Sequence, residues 1–142
     1  MSSSEPPQNA TATAELLVTP LDLASALSLG PSDAFPEVFA TARMVALMEI
    51  ASARVLQPYL SSGQLSVGVR VEVTHSAPTP LGATVTATSR YLGRDGKLFD
   101  FEIVASDAGG EIGRARHKRA IVDVERIQST AARRIAGVTN SL

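Results

Sequence analysis

Thr41-Ala-Arg-Met-Val-Ala-Leu-Met-Glu-Ile-Ala-Ser-Ala-Arg-Val-Leu56 is soon followed by Ser66-Val-Gly-Val-Arg-Val-Glu-Val-Thr-His75. The first stretch holds no glycine or proline, is rich in Ala, Leu and Met, and is stopped by Pro58. It predicts one helix from about Thr41 to Leu56. In the second, Val67, Val69, Val71 and Val73 recur at period two and predict a strand carrying them on one face. The alternation continues downstream. Ala77-Pro-Thr-Pro-Leu-Gly82 breaks the first strand, Thr84 to Leu92 predicts the next, and Gly93-Arg-Asp-Gly96 a hairpin turn. Lys97 to Ser106 and Glu111 to Val124 predict two more, separated by a turn at Asp107 to Gly110. One long helix followed by consecutive antiparallel strands predicts an α+β domain with the helix on one face of the sheet.

Upstream, Leu16 to Val18 predicts a short strand ended by Pro20. Leu21, Leu23, Leu27 and Leu29 then form a partly helical apolar segment closed by Gly30-Pro31, a candidate flap. Residues 1–13, rich in Ser, Thr, Pro and Ala, read as a loose tail, 14–126 as one domain, and 127–142 as a C-terminal tail with little capacity to form a core.

Composition narrows the chemistry. At 142 residues the chain suits a single domain, burying roughly 68–70% of its unfolded surface. With no cysteine, it has no disulfide, thiol nucleophile or cysteine-ligated metal. A net charge of −1 and the lack of tryptophan point away from nucleic acid. No apolar stretch reads as a signal peptide or a membrane span, and the start of the chain lacks the arginines of a transit peptide, so a cytoplasmic location is expected. Every basic residue lies at or after Arg43, where 13 basic residues face nine acids. That mild surplus suits an anionic ligand. Glycine-rich phosphate loops, dinucleotide fingerprints and Gly-x-Ser-x-Gly elbows are absent. Two histidines without matching carboxylate spacing predict no metal site.

Four positions break the local pattern, and a fifth joins them at the start of the helix. Glu49 has Val45, Ala46, Ser52 and Ala53 as its helical neighbours, so it is either a carboxylate held by a partner near a cavity or a helix-edge glutamate reaching solvent. Thr41 stands eight residues earlier, where a threonine is most often an N-cap. His75 continues the odd-numbered face of its strand, which suits a structural histidine as well as a catalytic one. Gly68, among valines, marks either a bulge or the close approach of a ligand. Arg119 shares a strand face with Ala115, His117 and Ile121 rather than with the Arg114, Arg116, Lys118 stripe. An inward arginine there pairs with a carboxylate or meets an anionic or carbonyl group. These residues alone name no reaction.

Phe35-Pro-Glu-Val-Phe-Ala-Thr41, Met44-Val-Ala-Leu-Met-Glu49, Ser66-Val-Gly68, Val73-Thr-His75, Ala77-Pro-Thr-Pro-Leu-Gly82, Glu111-Ile-Gly113 and His117-Lys-Arg-Ala120 together closely resemble the fluoroacetyl-CoA thioesterase family across about residues 14–126. The resemblance implies a hotdog fold, an antiparallel sheet wrapped around one long central helix. It also implies a homodimer with acyl-CoA sites at the subunit interface and no cofactor beyond the coenzyme A of the substrate. The implied catalytic set is Thr41, Glu49 and His75. Gly68 and Arg119 fall on substrate-contacting positions, and Phe35 on a phenylalanine that gates the pocket. A second lid aromatic three residues earlier stands here as Ser32, which leaves the preference for fluoroacetyl open. The implied reaction is hydrolysis of a short-chain acyl-CoA to free acid and CoA. Glu49 would act as nucleophile or as base for water, His75 would relay a proton, and Thr41 would orient the attacking group. Two alternatives share the fold: a non-catalytic domain binding acyl-CoA or acyl carrier protein, and an enoyl-thioester hydratase.

Overall fold

The computed structural model describes residues 5–139; Met1–Ser4 and Asn140–Leu142, at the ends of the two expected tails, lie outside the described residues. In chain order the elements are β1 (Thr11–Leu17), 3-10 turns at Pro20–Asp22 and Ala24–Leu27, and α1 (Thr41–Leu56) with a closing turn at Gln57–Tyr59. They continue with β2 (Gln64–His75), β3 (Thr84–Asp95), β4 (Leu98–Asp107), β5 (Gly110–Asp123) and α2 (Val124–Thr139). The strands form one antiparallel sheet in the order β1-β3-β4-β5-β2.

Met44, Leu47, Met48, Ala51 and Val55 recur at helical spacing and are buried, whereas Arg43, Ile50 and Arg54 face outward. The buried stripe of α1 belongs to one core with Val85 and Ala87 of β3 and with Phe99, Phe101, Ile103 and Ala105 of β4. The Ser52 hydroxyl, fully buried in this layer, donates to Met48 O at 2.9 Å and shares a 2.8 Å hydrogen bond with the Ser89 hydroxyl. Both serines are thereby satisfied without water.

The tertiary structure departs from the expected arrangement in three places. First, the four downstream strands are not a simple meander. β3, β4 and β5 follow one another, but β2 pairs with β5 at the far edge, and residues 76–83 carry the chain across to β3. Alternation shows which face of a strand is buried and says nothing about its neighbour. The crossing segment is fixed by Ser76 N–H to Ile112 O (2.7 Å), Phe39 N–H to Thr79 O (2.9 Å), and the buried Thr79 hydroxyl to Asp107 Oδ2 (2.6 Å).

Second, the valines of β2 do not share one face. The pairing with β5 shifts register between Gly68 and Arg70, so Ser66 and Gly68 oppose the inward Ile121 and Arg119, while Val71, Val73 and His75 oppose His117, Ala115 and Gly113. The extra residue, Val69, reverses the phase, and Val67 sits opposite Ala120 on the other face.

Third, both expected tails contain structure. Thr11–Thr13 belong to β1, paired residue for residue with Arg90, Ser89 and Thr88 of β3 through backbone bonds that small polar residues make as well as apolar ones. Residues 124–139 form α2, whose first turn is capped by Asp123 Oδ1 accepting from Arg126 N–H at 3.0 Å.

Gly113 of β5 sits under Met44 of α1. A Cβ there would lie 2.7 Å from both Met44 Cε and the Thr74 carbonyl oxygen. The methionine can move, but the backbone oxygen is held in the β2–β5 ladder. Gly113→Ala is expected to cost about 1–3 kcal/mol through overpacking. The check is a lower urea midpoint at unchanged slope.

Candidate active site

The start of α1 is set by its neighbours. Ala40, the N-cap, donates its N–H to Asp22 O at 2.9 Å, and no side chain caps the helix. Thr41 is therefore the first helical residue rather than its cap, and its hydroxyl is free for another partner. That partner is His75 at the end of β2, with 2.7 Å between Thr41 Oγ1 and His75 Nδ1. The other ring nitrogen, Nε2, is buried and has no hydrogen-bond partner among the described residues. Phe39, fully buried, meets the imidazole edge-on with ring centroids 6.5 Å apart. A cleft of about 380 Å³ opens over this pair, lined by Ala24, Pro36, Val38 and Phe39 on one side and by Ser76, Ala77 and Pro78 on the other.

A second group lies farther along α1. Glu49 points at the β2 bulge, and a Cβ on Gly68 would fall on Glu49 Oε1 and lie 3.2 Å from the ring of His117. Gly68 thus marks the bulge, one of its two expected roles, and also leaves room for a carboxylate of the chain itself. Arg119, buried on β5, stands opposite Gly68. Its Nε donates to the Ser66 hydroxyl and its Nη2 to Ser66 O, both at 2.9 Å. Its Nη1 donates to His117 Nε2 at 3.1 Å and lies 3.7 Å from Glu49 Oε1. Burial pulls the guanidinium below its usual pKa and the carboxylate of Glu49 opposes that shift. Glu49 itself is 41% exposed, so it is an ion-pair partner at the edge of the core rather than a buried charge.

The sequence-derived residues therefore fall into two groups, Thr41 with His75 and Glu49 with Gly68 and Arg119. Thr41 and Glu49 are separated by about 12 Å along the helix axis, and among the described residues no hydrogen bond or ion pair links the groups. Phe35 joins neither. It is half exposed in the irregular segment before α1 and does not line the cleft, where Phe39 stands instead. Of the expected flap leucines, Leu23 is buried and bridged to Phe39, whereas Leu29 is 98% exposed. Sequence reading missed Phe39, Ser66 and His117. The last was legible, because it shares the inward parity of Arg119. The basic stripe is neutralised on the outer face: Arg114 pairs with Glu111 (2.8 Å), Arg116 with Asp100 (2.9 Å) and Lys118 with Asp95 (2.8 Å). Among the described residues, no three His, Asp or Glu side chains converge as a metal would need.

His117 carries a signed pH dependence. Burial first, and the charge of Arg119 after it, hold its pKa below the ordinary 6.5, against the pull of its backbone hydrogen bond and Glu49. An unfolded chain then binds a proton that the folded one refuses. The stability contributed by the neutral ring is complete above the ordinary value and is lost as pH falls from there through the folded value. Urea midpoints measured downward from about pH 8 are expected to drop through this window and to flatten in His117→Gln. Equal slopes for both proteins would refute this.

Three comparisons with known proteins identify the relatives of this chain. The family model described as fluoroacetyl-CoA-specific thioesterase matches residues 18–125. The fluoroacetyl-CoA thioesterase of Streptantibioticus cattleyicolor is 43% identical over 95 residues, 67% of this chain and 68% of that one. The solved structure of the fluoroacetyl-CoA thioesterase FlK superposes with a TM-score of 0.85 at 36% identity, covering 89% of this chain and 96% of that one. A thioesterase superfamily member from Thermus thermophilus superposes with a TM-score of 0.80 at 27% identity, covering 96% and 97%. The sheet and its long helix are those of the hotdog thioesterases, and the chain belongs to the fluoroacetyl-CoA-specific thioesterase family.

Proposed function

We propose that this acyl-CoA thioesterase hydrolyses short-chain acyl thioesters at a site completed by two copies of the chain, with Thr41, Glu49 and His75 as its catalytic residues. The observation that carries the assignment is the 2.7 Å Thr41–His75 hydrogen bond at the mouth of a cleft. A threonine hydroxyl donating to Nδ1 puts the ring proton on Nε2, and a histidine so arranged can pass protons between attacking and leaving groups. Glu49 supplies the carboxylate, as attacking group or as base for water. In the net reaction water's oxygen bonds to the thioester carbon, the carbon–sulfur bond breaks, and a proton reaches the departing thiolate through His75. The first-turn N–H groups of α1 stand beside Thr41, where an oxyanion would find donors. Gly68 and Arg119 are assigned to the acyl group, and Phe35 to a lid that the second subunit and the substrate would bring over the cleft.

The separation of the two groups supports a dimeric site. β2 is an edge strand of 12 residues with Val69 and Val71 exposed, the kind of edge that a second strand covers. Twofold pairing of β2 with its copy, centred between Val71 and Glu72, would set His75 of one subunit opposite the partner's Gly68. Thr41 and His75 of one chain would then face the partner's Glu49 and Arg119. The substrate named for the Streptantibioticus relative, fluoroacetyl-CoA, belongs in the panel to be tested here, beside unsubstituted acyl-CoAs.

Free-thiol release from acyl-CoAs of increasing length is expected to be fastest for short chains. Thr41→Ala, Glu49→Ala and His75→Ala are each expected to lower turnover about 100-fold or more. Thr41→Ala should do so without a capping loss of stability, because Thr41 caps nothing. A 3-hydroxyacyl thioester as product in place of free thiol would indicate hydration and overturn the assignment. The shared site has its own check. Mixing Glu49→Ala with His75→Ala subunits is expected to restore about a quarter of wild-type activity through mixed dimers holding one intact site. No restoration, or a monomer by sedimentation, would place the site within one chain.

A further inference from the structure

His117 is one of only two histidines in the chain and takes no part in the chemistry assigned above. It is 2% exposed on the inward face of β5. β2 supplies the Arg70 carbonyl and, opposite in register, Val71; β4 supplies Phe101, with ring centroids 6.4 Å apart; β5 supplies Arg119; and α1 supplies Glu49. Arg119 and Glu49 are the charged groups that face the ring.

The two hydrogen bonds of the ring determine its protonation. Nδ1 lies 2.8 Å from the Arg70 carbonyl oxygen, and a carbonyl can only accept, so Nδ1 carries the proton. Nε2 lies 3.1 Å from Arg119 Nη1, and a guanidinium can only donate, so Nε2 is the bare lone pair. Ser66 holds Arg119 through Nε and Nη2. His117 holds the remaining nitrogen, Nη1, the one nearest Glu49.

We propose that His117 is a positioning residue: as a neutral imidazole protonated on Nδ1, it aims Arg119 Nη1 at Glu49 and thereby sets the carboxylate and guanidinium geometry beside Gly68. The inference deepens the thioesterase reading and rests on it for its consequence in catalysis. A proton added to Nε2 would point an N–H at an N–H and set two cations side by side. Glu49 Oε1, 4.0 Å from Nε2, would become the imidazolium's partner and Arg119 would lose its aim. The site therefore carries an acid-side switch seated on His117.

The test has one arm that needs no activity. In ¹⁵N-histidine-labelled protein, with the two rings distinguished by a His75→Gln sample, the His117 ring is expected to show a protonated Nδ1 and a bare Nε2 at neutral pH. A proton on Nε2, or a charged ring at that pH, would overturn the proposal whether or not the protein hydrolyses acyl-CoA. The second arm compares His117→Leu, which fills the space and accepts nothing, with His117→Gln, whose carbonyl oxygen reaches the place of Nε2 without titrating. His117→Leu is expected to lower kcat/KM about 10- to 100-fold, since misaimed groups react slowly. His117→Gln is expected to stay within several-fold of wild type and to show a shallower acid limb in its pH profile. Wild-type kinetics in His117→Leu would refute the positioning role and leave the thioesterase intact, as would equal loss in both variants. If His117→Leu does not fold, the Gln variant's acid limb and the ring spectra still decide.

Discussion

Everything functional in this molecule depends on how closely α1 can lie against β5 and β2. Two glycines permit that approach. At Gly113 the absence of a side chain leaves room for Met44, and at Gly68 it leaves room for the Glu49 carboxylate. One contact is structural and the other places a charge, but both express the same steric constraint: a helix that carries the proposed catalytic groups must sit within contact distance of the strands that carry their partners. A helix displaced by even a methyl group would separate Thr41 from His75 and Glu49 from Arg119, because in each pair one member rides on α1.

The bulge at Val69 is the second determinant. Without it, strict alternation would continue the phase of Ser66 and Gly68 along β2 and turn His75 to the outer face, away from Thr41. One extra residue lets Gly68 face Glu49 at one end of the strand and His75 face Thr41 at the other. The same strand is an edge of the sheet, so the device that orients both groups of the proposed site also lies on the edge proposed for a second copy.

Charge is divided between the two faces of the sheet. Outside, Arg114, Arg116 and Lys118 are matched by acids on β5, β4 and the end of β3, and the exposed pairs contribute little to stability. Inside, Arg119 is the buried cation of β5, and every nitrogen of its guanidinium has a partner. A buried charge is tolerated only when satisfied in this way. The satisfaction is what makes it a fixed electrostatic feature rather than a mobile side chain.

The helix from Thr41 to Leu56, the existence of the four downstream strands and the inward direction of Arg119 were all legible in the sequence, because the burial of one face imposes a period that a single chain records. The oddness of Glu49 and Gly68 was legible for the same reason, as exceptions to that period. Sequence did not reveal that β2 leaves β3 to pair with β5, that Val69 reverses its phase, or that Thr41 bonds His75 instead of capping its helix. Nor did it show that Thr11–Thr13 form a strand. Each of these is a hydrogen-bonding choice between segments far apart in the chain. Period and propensity describe what a residue does relative to its neighbours, whereas strand partners, register and side-chain bonds are set by which distant backbone the folded core brings within 3 Å.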